Sequence, residues 1–207
     1  MLSFVLQTSV AQDCNKTSTG RIPINDLGTG TWEGMVGGLY PSGSNDMPET
    51  HRANGVQLAT TMVVPRNTAG QQDATGKVVM LSIGMSNCNM AFSAFRDSVG
   101  VYDDINPALV MVNGAQGSMP IDSLEDPNGT FWQVVNQRLQ GHGVTAQQVQ
   151  VVWFKQAQHR TGIPNGMGIN HIDTLEKKFL LVMQILRQKY PNPVSYTHLT
   201  LPTKRIV

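Results

Sequence analysis

Residues 77–87 read Lys-Val-Val-Met-Leu-Ser-Ile-Gly-Met-Ser-Asn, an apolar run that stops at Gly-x-Ser-Asn. No other stretch of the chain constrains its fold as tightly. A parallel strand buried on both faces carries a near-continuous apolar run, not an alternation of apolar and polar residues. A glycine at its end lets the chain turn sharply, and a helix-compatible segment follows. This places Ser86 at the carboxyl end of a central strand, where open α/β sheets keep their active sites. A serine there is either a nucleophile, if a base reaches it, or the first polar residue of an ordinary strand-to-loop turn. Gly-x-Ser alone does not choose between them.

The same pattern recurs downstream. Strand Lys77–Gly84 precedes a short helix at Met90–Asp97, strand Ala108–Val112 precedes helix Thr130–Gln140, and strand Gln150–Phe154 precedes a long loop and helix Asp173–Lys189. In the last helix Leu175, Phe179, Val182 and Leu186 recur at helical spacing. Asp173 and Glu176 read as a capping box, Arg187 and Lys189 complement the carbonyl end of the dipole, and Pro191 stops the helix. Strands alternating with helices predict an α/β fold with a parallel sheet and right-handed crossovers. Upstream, residues 15–47 are rich in Gly, Thr, Ser and Asn and predict irregular structure, with a short strand near Gly34–Tyr40. Pro48–Met62 predicts a helix with Ala53, Val56, Leu58, Ala59 and Met62 on an apolar side, and Pro65–Gly76 a surface loop.

Both ends depart from this pattern. Leu2–Ala11 is apolar and then small, and the chain turns polar from Gln12, like the back half of an export signal without its positive start. Residues 1–13 are therefore expected to be a partial signal peptide, which implies a secreted or periplasmic protein. Val194–Thr203 resembles one reading frame of a sequencing-library adapter, so 194–207 is expected to be a non-native tail and 14–193 a domain cut off near Pro193. Export would permit Cys14 and Cys88 to pair, but a buried free thiol suits Cys88 as well, and no disulfide is assigned. Only 14% of residues are charged, against 20 Gly and 11 Pro, which indicates long loops. The formal charge of +1 and the lack of a basic stripe give no reason to expect nucleic acid. No apolar run is long enough to span a membrane.

Each of the three strands ends in a polar loop: Gly84–Asn87, Asn113–Ser118 and Lys155–Gln158. In a parallel sheet these loops share one edge and can converge. Acyl transfer needs a nucleophile and donors aimed at the developing oxyanion. Ser86 would be the first, and the N–H groups of Ser86 and Gly117 with a side-chain amide would be the second. Polar loops of this kind also suit a sugar-like ligand.

Leu81-Ser-Ile-Gly-Met-Ser-Asn followed by Asn113-Gly-Ala-Gln-Gly resembles the SGNH (GDSL-like) hydrolase superfamily, with secreted members from environmental bacteria the nearest in character. Val152-Trp-Phe-Lys-Gln-Ala-Gln is similar to the Trp-x-Gln-Gly-Glu segment of its carbohydrate acetylesterase branch. The resemblance spans roughly residues 20–192. It implies a flavodoxin-like α/β/α sandwich that cleaves small-molecule or carbohydrate esters with a Ser-His-Asp-type site and no cofactor. Carried over, Ser86 is the nucleophile and Gly117, or else Gly114, the oxyanion glycine. Gln156 stands where the family usually has an Asn. Asn87, Gln116 and His159 would contact substrate.

The family's Asp-x-x-His block has no match, because Asp173 is followed by Thr174, Leu175 and Glu176. The resemblance therefore implies an esterase present as an inactive fragment, or else a non-catalytic glycan-binding or cell-surface domain on the same fold. Of the other histidines, His51 is expected on a solvated face, His142 in an exposed turn and His171 just before the last helix. None has metal-ligand spacing, and no metal is expected.

Overall fold

The computed structural model describes residues 22, 23, 25–32, 34–158 and 169–193. The expected leader at 1–13, Cys14, His159 and the tail at 194–207 lie outside the described residues. The chain divides after Pro48 into two compact units.

The first unit holds a small antiparallel hairpin, β1 (Thr31–Trp32) and β2 (Met35–Val36), in the region expected to be mostly irregular. Gly38 and Gly43 both have positive φ, and Gly38 packs so closely on Gly43 that a Cβ would overlap the Gly43 backbone. Leu39 and Tyr40 donate their N–H groups to the Ser44 carbonyl, which closes this turn.

The second unit opens with α1 (Glu49–Thr61) and contains the parallel sheet. Helix α1 forms where expected, but it buries none of its residues, and Val56 and Met62 stay exposed. The predicted apolar side is thus not used. Gly55 and the two threonines, whose hydroxyls bond back to the Val56 and Gln57 carbonyls, also make it a weak helix.

In the sheet, β3 (Val78–Gly84) lies between β4 (Leu109–Asn113) and β5 (Val149–Lys155), and both neighbours run parallel to it. The helices are α2 (Ser86–Val99), α3 (Thr130–Gly141) and α4 (Ile169–Lys189). Side chains alternate between faces along a strand. Val79, Leu81 and Ile83 join Val112 in one core with Phe131, Trp132, Val135 and Leu139 of α3 and Val182, Ile185 and Leu186 of α4. Ser82, in register with Asn113 and Trp153, points the other way, and the Trp153 ring meets Phe92 and Phe95 of α2 at 5.8 and 5.2 Å. Helices therefore cover both faces, which explains why β3 reads as an unbroken apolar run.

The first strand of the sheet is central, the second lies on one side and the third on the other. The chain thus reverses across the sheet between β4 and β5, and such a reversal opens a crevice at the carboxyl edge. At the opposite edge the Pro65–Gly76 segment is not a free loop. Arg66 bridges to Gln72 and Lys77, Gln148 Nε2 donates to the Arg66 carbonyl at 2.8 Å, and the fully buried Gln150 accepts from Val64 N–H at 3.0 Å. Buried amides require such partners.

Two helix starts differ from the sequence reading. Helix α4 begins at Ile169, so Asp173 and His171 lie within it and Asp173 is not its N-cap. The apolar spacing continues upstream through Ile172 and Ile169, which extends the helical period. Helix α2 begins at Ser86, not Met90. On α4, Lys178 bonds Asp122 at 2.7 Å and also Glu125, which ties the helix to the 3₁₀ turn Ile121–Leu124. Those two carboxylates, Asp122 first, raise the Lys178 pKa and hold it charged.

Replacing Ile83 by Ala removes fully buried core volume and is expected to lower the free energy of urea unfolding by about 2–5 kcal/mol. Val56→Ala on the uncovered helix is expected to change it by less than about 0.5 kcal/mol.

Candidate active site

Gly84 ends β3 where a Cβ would overlap the Lys155 carbonyl and the Cys88 side chain. Glycine alone fits that gap. Met85 is extended, and Ser86 is already the first residue of α2. The first turn of a helix leaves backbone N–H groups without intrahelical acceptors. Asn87 Oδ1 takes the Cys88 N–H at 2.8 Å, and helical bonding starts with Asn89 N–H donating to the Met85 carbonyl. The N–H groups of Ser86 and Asn87, both exposed residues, have no acceptor among the described residues. They stand at the positive end of the helix dipole, which favours anionic groups.

Two residues on, Cys88 is fully buried, with Sγ 3.6 Å from the Ile83 carbonyl. Burial pushes its thiol up to about 11, an effect only partly offset by the Lys155 N–H and ammonium charge. A thiol in that state is inert, whereas the Ser86 hydroxyl is open to solvent.

The second loop is fastened from both sides. Asn113, the last residue of β4, accepts from Ser82 Oγ at 2.7 Å and from Ala115 N–H at 3.2 Å through its Oδ1. Its Nδ2 donates to Asn89 Oδ1 at 2.6 Å and Ser93 Oγ at 3.0 Å, with Asn89 O at 3.3 Å. From α3, Arg138 Nη1 donates to the Asn113 and Ala115 carbonyls, both at 2.8 Å. Between them Gly114 is packed so tightly that a Cβ would lie 2.5 Å from the Ser82 carbonyl oxygen. Gln116 N–H donates to the Gly84 carbonyl at 2.9 Å, which docks this loop on the end of β3. The Gln116 side chain is buried and donates to the Phe131 carbonyl at 2.8 Å.

Gly117 follows and is exposed. A Cβ there would meet nothing within 4 Å, and its N–H has no acceptor among the described residues. The left-handed turn residue is Ser118, with φ of 58°.

The third loop lies beside the first because Lys155 is in register with Gly84. Lys155 is exposed and has no carboxylate partner among the described residues. Gln156 is buried and donates its amide to the Met119 carbonyl at 2.9 Å, while Ile121 N–H donates to the Ala157 carbonyl at 3.0 Å. These bonds join the third loop to the second. Gln158 Oε1 is buried without a partner among the described residues.

The structure thus brings all three predicted loops to one sheet edge. Of the predicted site residues, Ser86, Asn87 and Gly117 are exposed there, whereas Gly114, Gln116 and Gln156 are buried beneath, with both glutamine amides bonded to backbone carbonyls. No side chain among the described residues is hydrogen-bonded to Ser86 Oγ. No group of three His, Cys, Asp or Glu among the described residues is arranged to hold a metal.

Asn113 and Arg138, which shape the second loop, were not among the predicted site residues. A polar residue ending an apolar strand, and a cation beside the apolar stripe of a helix at Val135 and Leu139, are the signals that mark them. Compared with protein families, with curated proteins and with solved structures, the chain matches none.

Gly114→Ala is expected to cost about 1–3 kcal/mol of stability in urea unfolding, because the backbone must move. Gly117→Ala should cost less than about 0.5 kcal/mol.

Cys88 also predicts a pH dependence. Below its ordinary value of 9.0 the thiol is protonated in both folded and unfolded chains. Between there and about 11 the unfolded chain releases the proton and the folded one keeps it, so stability falls as pH rises through that window. Cys88→Ala should lose less of its urea midpoint than the parent chain on going from about pH 8 to about pH 10.5.

Proposed function

We propose that this chain is an ester hydrolase domain of the SGNH type, exported from the cytoplasm on its apolar leader, with Ser86 as the nucleophile toward small-molecule or carbohydrate esters. One observation carries the proposal. Ser86 is exposed as the first helical residue directly beyond the central strand of a parallel sheet, at the edge where the strand order reverses. That order, with the first strand central, also supports a flavodoxin-like layout. In this reading Ser86 Oγ attacks the acyl carbon, and the N–H groups of Ser86 and Gly117 hold the oxyanion. The alcohol leaves with the serine's proton, and water then releases the acid. Gln116, Gln156 and Gly114 act from below by holding the loops in place.

The reaction needs a base for the Ser86 proton. The resemblance assigns that role to an Asp-x-x-His block, which the sequence does not contain. Loss of one triad member leaves only the residual catalysis of oxyanion hole and binding, orders of magnitude lower. A second reading, a non-catalytic glycan-binding domain, is favoured by the lack of any base bonded to Ser86 among the described residues.

Hydrolysis of p-nitrophenyl acetate and acetylated sugars by the chain and by Ser86→Ala, with and without imidazole as an external base, tests both. Without imidazole the two proteins are expected to match. With it, the parent chain should show a rate above that of Ser86→Ala, whose own increase is the hydrolysis by imidazole alone. Equal rates in both conditions, together with sugar binding, would establish the second reading. Robust turnover without imidazole that is lost in Ser86→Ala would keep the nucleophile and place the base within the chain, with His159 the first residue to replace.

A further inference from the structure

We infer that Asn113 is a positioning residue that locks the Ser86 turn to the Gly114–Gly117 loop, so that nucleophile and oxyanion donors move as one body. Its place in the reaction rests on the reading of Ser86 as nucleophile, but the coupling itself does not.

The carboxamide is saturated. Its oxygen accepts from Ser82 of β3 and from Ala115 of the loop, and its nitrogen donates to Asn89 and Ser93 of α2. One side chain thus touches the strand before Ser86, the helix that Ser86 begins and the loop that ends at Gly117. An amide offers two acceptor lone pairs and two donor hydrogens, and here each oxygen lone pair and each N–H has a protein partner. No other natural side chain of this length supplies both sets. Asp lacks the donors, and Leu removes the bonds to all four residues.

Arg138 closes the other side of the same loop through the Asn113 and Ala115 carbonyls. The loop backbone is therefore fixed up to Gln116, whose N–H reaches Gly84. The N–H of Gly117, the next residue, has no acceptor among the described residues. Such networks are worth more than their separate bonds and hold one geometry. Positioned donors matter in acyl transfer because they cost no reorganisation when charge develops.

The test is amide hydrogen exchange on the 207-residue chain and on Asn113→Ala, followed at Asn89 in α2, Gln116 in the loop, and Val79 and Leu81 in the sheet. The imidazole-assisted ester rate is measured on the same samples. Exchange at Asn89 and Gln116 is expected to rise together by about tenfold, the cost of one hydrogen bond, with Val79 and Leu81 unchanged. The Ser86-dependent maximal rate should fall while the half-saturating ester concentration stays constant.

Exchange that rises at one reporter only, at neither, or equally at all four overturns the inference, as does an unchanged rate beside loosened reporters. Coupled loosening in a chain with no Ser86-dependent rate would support the lock and defeat the nucleophile. If Asn113→Ala does not fold, Ser82→Ala removes one bond to the same oxygen. It should give the same paired signature at smaller amplitude, and an absent pairing there overturns the inference equally.

Discussion

The close approach at Gly84 governs everything at the carboxyl edge of the sheet. The Lys155 carbonyl and the Cys88 side chain occupy the space a Cβ would need. With a larger residue β5 would have to move away from β3, or α2 would have to start later. Because neither happens, the first turn of α2 sits directly over the end of the central strand, and its N–H groups face out of the sheet edge. The exposed Ser86 follows from that placement. The same turn carries Cys88 inward, so two residues of separation divide a solvated hydroxyl from a thiol that burial keeps protonated. Position in the turn therefore decides which of the two side chains meets solvent.

The two edges of the sheet solve the same problem with opposite results. A short polar side chain buried without a partner costs several times what a hydrogen bond yields. At the amino edge Gln148 and Gln150 spend their amides on the 63–77 segment and leave a closed surface. At the carboxyl edge the Gln156 amide donates to the Met119 carbonyl, Gln116 to the Phe131 carbonyl of α3, Asn113 to Asn89 and Ser93 of α2, and the Arg138 guanidinium to the Asn113 and Ala115 carbonyls. That fixes the loops but cannot satisfy the donors at their tips. Among the described residues the N–H groups of Ser86, Asn87 and Gly117 have no acceptor.

Much of this was legible in the residues. The apolar run Val78–Ile83, the strands near 108–112 and 150–154 and the periodic helix near the C-terminus all emerge within a few residues of where they were expected, because burial on both faces and helical spacing leave direct marks on composition. The starts of α2 and α4 were not legible. Ser86–Asn89 is polar and reads as a loop, and only the tertiary gap at Gly84 makes it helical. At α4 the attractive Asp173–Glu176 pair masked an apolar period that runs on upstream. The side of α1 was misread for the opposite reason, since an apolar spacing predicts a face only where another element exists to cover it. Asn113 could be seen as a loop residue but not as a hub, because its partners come from three elements 20–31 residues away or close by in the chain. Sequence spacing carries no trace of such a meeting.

An ester hydrolase and a glycan-binding domain would draw on the same groups at this edge up to the last step. Open N–H donors above a helix terminus bind a carbonyl or hydroxyl oxygen whether or not the serine attacks it, and Lys155, in register with Gly84, adds positive charge at the same edge in either case. What separates the two is a single proton acceptor near Ser86 Oγ. Without one the serine hydroxyl is a hydrogen-bonding group like its neighbours. With one, the donors that hold a ground-state oxygen become more valuable as negative charge grows on it, and binding turns into catalysis. The rigid coupling through Asn113 matters far more in the second case, because a bound sugar tolerates loop motion that a developing oxyanion does not.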